Sequence, residues 1–358
     1  MLELTCAHCG KTATPLDWQC GGHPLEIARL PPVVADKINA ADWSLWRYAA
    51  MLPVMRRVSL GEGGTPLVET EVGGVRFHVK LESLNPTGSY KDRGTATLVN
   101  YLLGQGVTEV LEDSSGNAGA SLAAYAAAAG IHARIYCPAS APVGKKKLIA
   151  GFGAQVVEIP GPRVATTEAI MEAVQTSVYA THAWSPLFLL GQMTAAWEVW
   201  EQLGRHAPDA VICPVGQGGL LLGFARGFQA LHDAGLIERL PRLYAAQSAA
   251  CDPVVRAWEN GLEDIEPVAQ GATVADGIVI TKPVRSREVL AALRQSDGSA
   301  FRVSDDEVLA ALAALNQRGL FVEPTSAVPV AALLRESAAF EGALVVVPLT
   351  GSGLKTIA

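Results

Sequence analysis

The sequence predicts an α/β protein of two lobes, in which open, mostly parallel twisted sheets are flanked by helices, with a short Cys-rich N-terminal segment. Strand-like and helix-like runs alternate along most of the 358 residues, which is typical of βαβ units. Three strand-like runs end in loops of small residues, at 114–119, 216–219 and 350–353. Hydrophobic residues make up 49% of the chain, enough to bury a large core.

The individual elements follow from hydrophobic periodicity and from Gly and Pro breaks. Strands are predicted at 76–81, 108–113, 131–137, 154–159, 210–215 and 343–349. Helices are predicted at 164–178 and 220–234, in the Ala-rich run that ends at Gly130, and, as a short one, at 41–51. Gly130 is expected to end its helix because glycine readily adopts the left-handed conformation of a C-cap.

Composition excludes several classes of protein. The net charge of −7 without a basic stripe argues against a nucleic-acid partner. The first residues contain neither a basic region nor an apolar run, so no signal peptide is predicted. The Ala-rich run 118–131 is too short to span a bilayer. We therefore expect a soluble cytoplasmic protein with no membrane partner.

The segment 85–94, Asn-Pro-Thr-Gly-Ser-Tyr-Lys-Asp-Arg-Gly, contains the first candidate for chemistry. Pro86 and Gly88 favour a tight turn, and a helix is expected to begin near Lys91. A lysine that forms a Schiff base needs such a sheltered and oriented position. Taken alone, the pattern is more typical of an exposed lysine on a turn.

A glycine-rich loop follows the strand predicted at 210–215. In Gly216-Gln217-Gly218-Gly219-Leu220, the glycines let backbone N–H groups converge on an anion, and the next helix adds its positive end. The loop has neither the phosphate-binding pattern of nucleotide hydrolases nor that of dinucleotide enzymes. Alone, it is also compatible with an ordinary strand-to-helix turn.

Two further loops offer polar groups at strand ends. Ser114, Ser115 and Gly116, followed by Asn117, place hydroxyls, an amide and backbone donors at a helix start, which suits a carboxylate. Thr350 offers a hydroxyl after the last strand. N-capping or a polar turn would explain either pattern alone.

Taken in order, these motifs resemble the fold-type-II pyridoxal 5'-phosphate (PLP) enzymes, the tryptophan synthase β-like superfamily. Within it the chain is most similar to the threonine synthases. Further matching segments lie at 61–67, 191–194, 274–278, 303–307 and 323–327. The resemblance extends from about Leu60 to Lys355.

The resemblance implies roles for individual residues. Lys91 would hold PLP as a Schiff base and move protons at the substrate Cα. Asn117 would bond the phenolic oxygen of PLP, the loop 216–220 would bind its phosphate, and Thr350 would lie near its pyridine nitrogen. Residues 114–116 would bind the substrate carboxylate. A hydroxyl at the pyridine nitrogen makes a weaker electron sink than a carboxylate, which favours elimination or replacement over transamination.

The resemblance also implies an organisation. We expect a zinc-ribbon segment at 1–30, a large PLP-binding domain formed by 60–95 and 180–358, and a small α/β domain at 96–179. Relatives in this superfamily are commonly dimers, so a homodimer that acts on a small amino acid is predicted.

One stretch departs from the threonine synthase pattern. Threonine synthases usually carry Asn-Ser-x-Asn-Pro-x-Arg ahead of Gly-Gln-Lys-Thr, and its polar residues help bind the substrate phosphate. Here His182, Ala183 and Phe188 replace the first Asn, the Ser and the Arg. Phe188 offers no donor to a phosphate dianion, which prefers bidentate Arg and hydroxyl donors.

The leading hypothesis is therefore a PLP-dependent carbon–oxygen lyase or synthase of the threonine synthase family. It would perform elimination or replacement at the β or γ carbon of a small amino acid, with O-phosphohomoserine as the named substrate. The alternative is a serine/threonine ammonia-lyase, or a β-replacement synthase, acting on an unphosphorylated amino acid. The third hypothesis is a non-catalytic PLP-binding protein.

The N-terminal segment carries candidate metal ligands. Cys6-x-x-Cys9 and Cys20-x-x-His23 have the spacing of a zinc knuckle pair. Four protein ligands would leave no open position, so such a zinc would be structural. Some relatives begin with a similar Cys-rich segment, although His23 stands here as an insertion. The alternative is a metal-free segment of reduced cysteines.

Overall fold

The computed structural model describes residues 2–161 and 163–356 and confirms the α/β class. Its strands are β1 (Leu4–Cys6), β2 (Thr12–Ala13), β3 (Leu25–Ile27), β4 (Leu67–Val72), β5 (Val75–Lys80), β6 (Glu109–Glu112), β7 (His132–Pro138), β8 (Gln155–Ile159), β9 (Val178–Tyr179), β10 (Ala210–Pro214), β11 (Arg242–Ser248), β12 (Ser299–Val303) and β13 (Val345–Pro348). Its α-helices are α1 (Lys91–Gly104), α2 (Asn117–Ala129), α3 (Val143–Gly151), α4 (Arg163–Ala173), α5 (Pro186–Gln202), α6 (Gly219–Asp233), α7 (Pro253–Glu259), α8 (Ser286–Gln295), α9 (Asp305–Gln317) and α10 (Pro324–Arg335).

Most predicted elements are present within one or two residues of their expected ends. Gly130 ends α2 with a φ of 67°, as its sequence position predicts. The helix predicted at 164–178 was wrong at its C-terminal end, because α4 stops at Ala173 and Val178 pairs with Val110 in a parallel ladder. The short helix predicted at 41–51 is a 3-10 helix at Leu45–Met51.

The chain divides into two compact units, and the division falls inside α5. One unit contains residues up to Gly63 together with Asn85–Gly191, and the other contains Gly64–Leu84 and the chain from Gln192 onward. The domain boundaries predicted from the sequence stay a prediction, and their outer ends, Met1 and Ala358, lie outside the described residues.

The first unit contains two sheets. A small antiparallel sheet has the strand order β2-β1-β3, and a parallel sheet has the order β8-β7-β6-β9. Leu111, Tyr136, Ile170 and Tyr179 form a buried cluster on the parallel sheet. Since β6 and β9 are parallel neighbours, the loops that follow them leave the same edge of the sheet.

The second unit is built on one six-stranded sheet with the order β12-β11-β10-β13-β5-β4. The pairs are parallel except for the β4–β5 hairpin. Ile212, Val347 and Val79, on three of its strands, are fully buried. Since β10 and β13 are parallel neighbours, the glycine-rich loop after β10 and Thr350 after β13 leave the same edge of this sheet. Among the described residues, no helix is long and apolar enough to cross a bilayer.

Candidate active site

Lys91 is the first residue of α1 and follows a tight turn. Gly88 has a φ of 76°, and its N–H donates to the Asn85 carbonyl at 2.7 Å. The Asp92 carboxylate accepts hydrogen bonds from the Thr87 N–H at 2.7 Å and the Thr87 hydroxyl at 2.6 Å. These hydrogen bonds join Thr87, before Lys91, to Asp92, after it, and so restrict the backbone at Lys91.

The Lys91 amine lies among aromatic groups. Its Nζ donates to the Tyr90 hydroxyl at 2.7 Å and lies 5.8 Å from the centroid of the Phe188 ring. Lys91 itself is half-buried, whereas Phe188 is buried. The sequence predicted a sheltered lysine at this position, but not the contact with Phe188, which lies far from it along the chain.

The start of α5 packs directly on the backbone of α1. A Cβ built on Gly94 would fall 2.6 Å from the Phe188 ring, and one built on Gly191 would collide with the Arg93 carbonyl. The Thr97 hydroxyl donates to the Leu187 carbonyl at 2.7 Å. Glycine at 94 and 191 therefore allows the close approach that brings Phe188 to Lys91.

The loop after β6 lies over the start of α2. The Ser114 carbonyl packs so closely on Gly119 that any Cβ there would collide with it. The Gly116 N–H donates to the Ser114 hydroxyl at 3.3 Å, and Asn117 opens α2. The first N–H groups of a helix have no partner within the helix, which fits this loop for an anionic group.

A pair formed by the buried Glu112 and the half-buried His182 lies beside this loop, and sequence reasoning did not predict it. The Glu112 carboxylate lies 3.2 Å from His182 Nδ1 and accepts the His182 backbone N–H at 3.1 Å. Burial raises the pKa of Glu112, but the charge and hydrogen bonds of His182 outweigh it, so the pKa is lowered. The ring of His182 meets the Phe188 ring edge to face at 6.0 Å.

In the second unit, the glycine-rich loop runs from β10 into α6. Gly218 is the N-cap of α6 with a φ of 81°, and a Cβ there would collide with Val289. A Cβ on Gly216 would lie 3.1 Å from the Ile278 Cα, and the Gln217 side chain accepts the Val284 N–H at 3.0 Å. Glycine is thus required at 218 by both backbone conformation and space. Gly219 and Leu220 form the first turn of the helix.

Thr350 is buried and paired with a second hydroxyl. Its Oγ1 lies 3.0 Å from the Oγ of Ser326, which also accepts the Gly351 N–H at 3.0 Å. The Glu323 carboxylate packs against Gly351, where any Cβ would collide with it. The segment 323–327 was noted in the sequence only as a family match, and the pairing of Ser326 with Thr350 is visible only in three dimensions.

The second unit also contains a fully buried lysine. The Lys80 ammonium donates to the Thr65 carbonyl at 2.5 Å, to Glu198 at 2.7 Å and to Gln202 at 2.9 Å. The other Glu198 oxygen accepts the Gly64 N–H at 2.9 Å. Three acceptors match the three donors of an ammonium group, which makes this a structural ion pair.

The structure brings together three of the four predicted metal ligands. The thiol sulfurs of Cys6, Cys9 and Cys20 lie within 4.8 Å of one another, whereas His23 is not in this group and stacks on the His8 ring at 4.0 Å. A backbone hydrogen bond from Cys9 is the main cause that lowers the pKa of Cys6. The hydrogen bond with Cys9 is the main cause that raises the pKa of Cys20, to about 11. The Cys20 thiol therefore holds its proton at neutral pH, and a bound cation would have to displace it.

Comparison with known proteins identifies the family. The family model described as pyridoxal-phosphate dependent enzyme matches residues 58–351. The threonine synthase of Methanocaldococcus jannaschii is 35% identical over 373 residues, which covers 98% of this chain and 92% of that protein. The threonine synthase of Mycobacterium bovis is 37% identical over 322 residues, which covers 86% of this chain and 87% of that protein.

A solved structure agrees with these relatives. The T.th. threonine deaminase is 29% identical with a TM-score of 0.71, and the match covers 88% of this chain and 98% of that protein. The resemblance seen in the sequence is thus confirmed. The chain belongs to the pyridoxal-phosphate dependent enzymes and, among their fold-type-II lyases, to the threonine synthase family.

Proposed function

We propose that this enzyme is a threonine synthase that converts O-phosphohomoserine and water to threonine and phosphate. The observation that carries the proposal is the placement of Lys91, at a braced turn at the start of α1, in a chain similar to threonine synthases over 98% of its length. Lys91 would bind PLP covalently through its amine. Tyr90, whose hydroxyl accepts from that amine at 2.7 Å, would orient it.

Several features fit PLP. The loop 216–220 has the backbone conformation and the helix start that a phosphate group needs. The buried Thr350–Ser326 hydroxyl pair suits a neutral pyridine nitrogen. The Ser89 hydroxyl, two residues before Lys91, is buried without a hydrogen-bond partner among the described residues, and so could donate to a ligand. Asn117, at the start of α2, is proposed to bond the phenolic oxygen.

Lys91 and the loop 114–116 would have separate roles in the reaction. When bound, PLP withdraws electrons from the substrate Cα, so that bonds there and at neighbouring carbons can break. The Lys91 amine would remove and return a proton at the substrate Cα. Ser114, Ser115 and Gly116 would hold the substrate carboxylate at the N-terminus of α2 and so orient the bond to be broken.

A second candidate function is favoured by one observation. The buried Phe188 ring lies 5.8 Å from the Lys91 amine. It occupies the position where threonine synthases usually carry Arg. An aromatic ring provides no donor to a phosphate group. An ammonia-lyase or β-replacement reaction on unphosphorylated serine or threonine would suit such a site better.

Zinc and a homodimer complete the proposal. We propose that Cys6, Cys9 and Cys20 bind a structural zinc ion, with His23 turning from its stack on His8 to supply the fourth ligand. The homodimer and the cytoplasmic location stay predictions from the sequence.

The decisive experiment is phosphate release from O-phospho-L-homoserine by the PLP-loaded enzyme. Release with formation of threonine is expected. No release, together with ammonia release from serine or threonine, would contradict the proposed substrate and support the second function.

Lys91→Ala tests the attachment site. It should lose the visible absorbance band of the bound cofactor, whereas Lys37→Ala, at an exposed lysine, should keep it. A band that survives in Lys91→Ala and that borohydride fixes to the protein would show that another lysine binds PLP.

A further inference from the structure

Trp18 belongs to the Cys-rich N-terminal segment but packs outside it. The segment comprises β1, β2, β3 and the loops that join them, and Trp18 lies two residues before Cys20. Its ring meets the Trp184 ring edge to face at 5.1 Å and the Tyr179 ring edge to face at 5.3 Å. Trp18 thereby joins the buried cluster on the parallel sheet of the first unit.

Trp184 connects Trp18 to the surroundings of the reactive lysine. It lies in the turn between β9 and α5, two residues before Pro186 opens the helix. The same turn carries His182, whose ring contacts Phe188, and the Phe188 ring lies 5.8 Å from the Lys91 amine. A shift of this turn would therefore also shift the rings of His182 and Phe188 near Lys91.

Tyr179 connects Trp18 to the loop after β6, which contains the proposed carboxylate-binding residues 114–116. Its hydroxyl donates to the Asp113 carboxylate at 2.6 Å. Asp113 directly precedes Ser114, the first residue of the proposed carboxylate-binding loop. Trp184 thus lies in the loop after β9, and Tyr179 is bonded to the loop after β6. Both loops leave the same edge of the parallel sheet.

The N-terminal segment can hold Trp18 in place because both sides of this residue are anchored. On one side, the Thr14 N–H donates to the Asp17 carboxylate at 2.6 Å. On the other side, Cys20 exchanges backbone hydrogen bonds with His23 at 2.9 and 3.1 Å and lies in the cluster of three thiols. A metal bound to those thiols would stiffen this anchor further.

We infer that Trp18 is a positioning residue for substrate recognition, through which the N-terminal segment braces the loops 113–116 and 180–185. The inference rests on the proposed function, because those loops matter only if they bind the amino-acid substrate. Trp18 touches no reacting atom in this scheme. Its loss should therefore weaken substrate binding and leave the chemistry at Lys91 intact.

The test compares Trp18→Ala with Trp18→Phe and with Trp43→Ala. Trp18→Phe keeps an aromatic ring, and Trp43 is a 78% exposed tryptophan of the same unit, which makes it a matched control. Hydrogen exchange of the backbone amides in 179–188 is measured first, because it needs no turnover. We expect faster exchange in Trp18→Ala, with the amides of α6 unchanged, and wild-type rates in Trp43→Ala.

The second measurement separates KM from kcat on whichever amino acid the wild-type enzyme turns over. We expect KM to rise roughly tenfold in Trp18→Ala from the loss of two aromatic contacts, with kcat and the cofactor absorbance retained and with Trp18→Phe close to wild type.

Unchanged exchange in 179–188 would overturn the inference, and so would faster exchange with an unchanged KM. A wild-type enzyme inactive on every candidate amino acid would refute the proposed function, while the exchange data would still decide whether Trp18 braces the loops.

Discussion

The ring of Phe188 lies flat against Gly94, so that a Cβ on this glycine would fall 2.6 Å from the ring carbon Cγ. Gly94 is three residues after Lys91 in α1, and residues so spaced lie on the same face of a helix. The contact therefore links the lysine proposed to bind PLP with the residue that departs most clearly from the threonine synthase pattern.

Gly94→Ala should be destabilising, because the methyl group has no room beside Phe188. Overpacking of this kind costs about 1–3 kcal/mol in the free energy of unfolding. Gly104→Ala, in the same helix, is the control, since its Cβ would lie 3.5 Å from Arg57 in ordinary contact. Urea unfolding checks the difference, and equal stabilities would show that α5 can move away freely.

Gly218→Ala should reduce both stability and the amount of PLP bound. Alanine would be strained at a φ of 81° and would collide with Val289. Gly235→Ala is matched for the strain, since its φ is 68°, but the described structure has nothing within 4 Å of a Cβ there. We expect Gly218→Ala to be less stable than Gly235→Ala by about 1–3 kcal/mol. Cofactor content and urea unfolding measure both effects, and normal PLP content would argue against this loop as the phosphate site.

Glu112→Gln should destabilise the protein at neutral pH by roughly 1–3 kcal/mol, because it removes the buried carboxylate that accepts the His182 backbone N–H and faces its Nδ1, but keeps a hydrogen-bonding group. The folded-state pKa of Glu112 is lowered, so its stabilisation is present above the unfolded value of about 4.3 and is lost as the pH falls through the folded value. The difference between variant and wild type should therefore shrink below pH ~4.

Glu109→Gln, on the same strand, is the control for Glu112→Gln. Glu109 is 38% exposed where it pairs with Arg134, and exposed pairs contribute only about 0–1 kcal/mol. Thermal unfolding over a pH series compares the two variants. A pH-independent difference for Glu112→Gln would show that shape rather than charge explains its effect.

Purified enzyme should contain about one zinc ion per chain. Cys20→Ala should lose it, because a site with one thiolate fewer binds zinc more weakly, whereas Cys137→Ala, a buried cysteine of β7, should retain it. His23→Ala should weaken binding and His8→Ala should not. Elemental analysis after dialysis against a chelator measures the zinc content of each variant. Equal zinc in all four variants would refute the site.

Local patterns predicted the starts of α2 and α6 to within a few residues, because glycines and small polar residues mark those boundaries irrespective of the rest of the chain. They also placed Lys91 after its turn. They failed at 174–178, where helix-compatible residues pair instead with a neighbouring strand, so a tertiary contact overrides local preference.

The contacts that distinguish this site are long-range. Glu112 meets His182 because β6 and β9 are parallel neighbours, and Phe188 meets Lys91 because Gly94 and Gly191 let two helices approach. No periodicity encodes such pairings. The substitutions at 182 and 188 were recognised only against a family pattern, and their environment required the fold.

The buried Lys80 network has a consequence for selectivity between amines. An aldehyde cofactor reacts with any accessible neutral amine, and Lys80 also lies within the segment matched by the family model. Its side chain is fully buried, and its nitrogen donates to a carbonyl, a carboxylate and an amide oxygen, so a cofactor has no access to it. Lys91, by contrast, is a half-buried residue at a helix start, and its amine lies beside the Tyr90 phenol. The fold thus shields Lys80 from condensation with an aldehyde, which leaves Lys91 as the proposed attachment site.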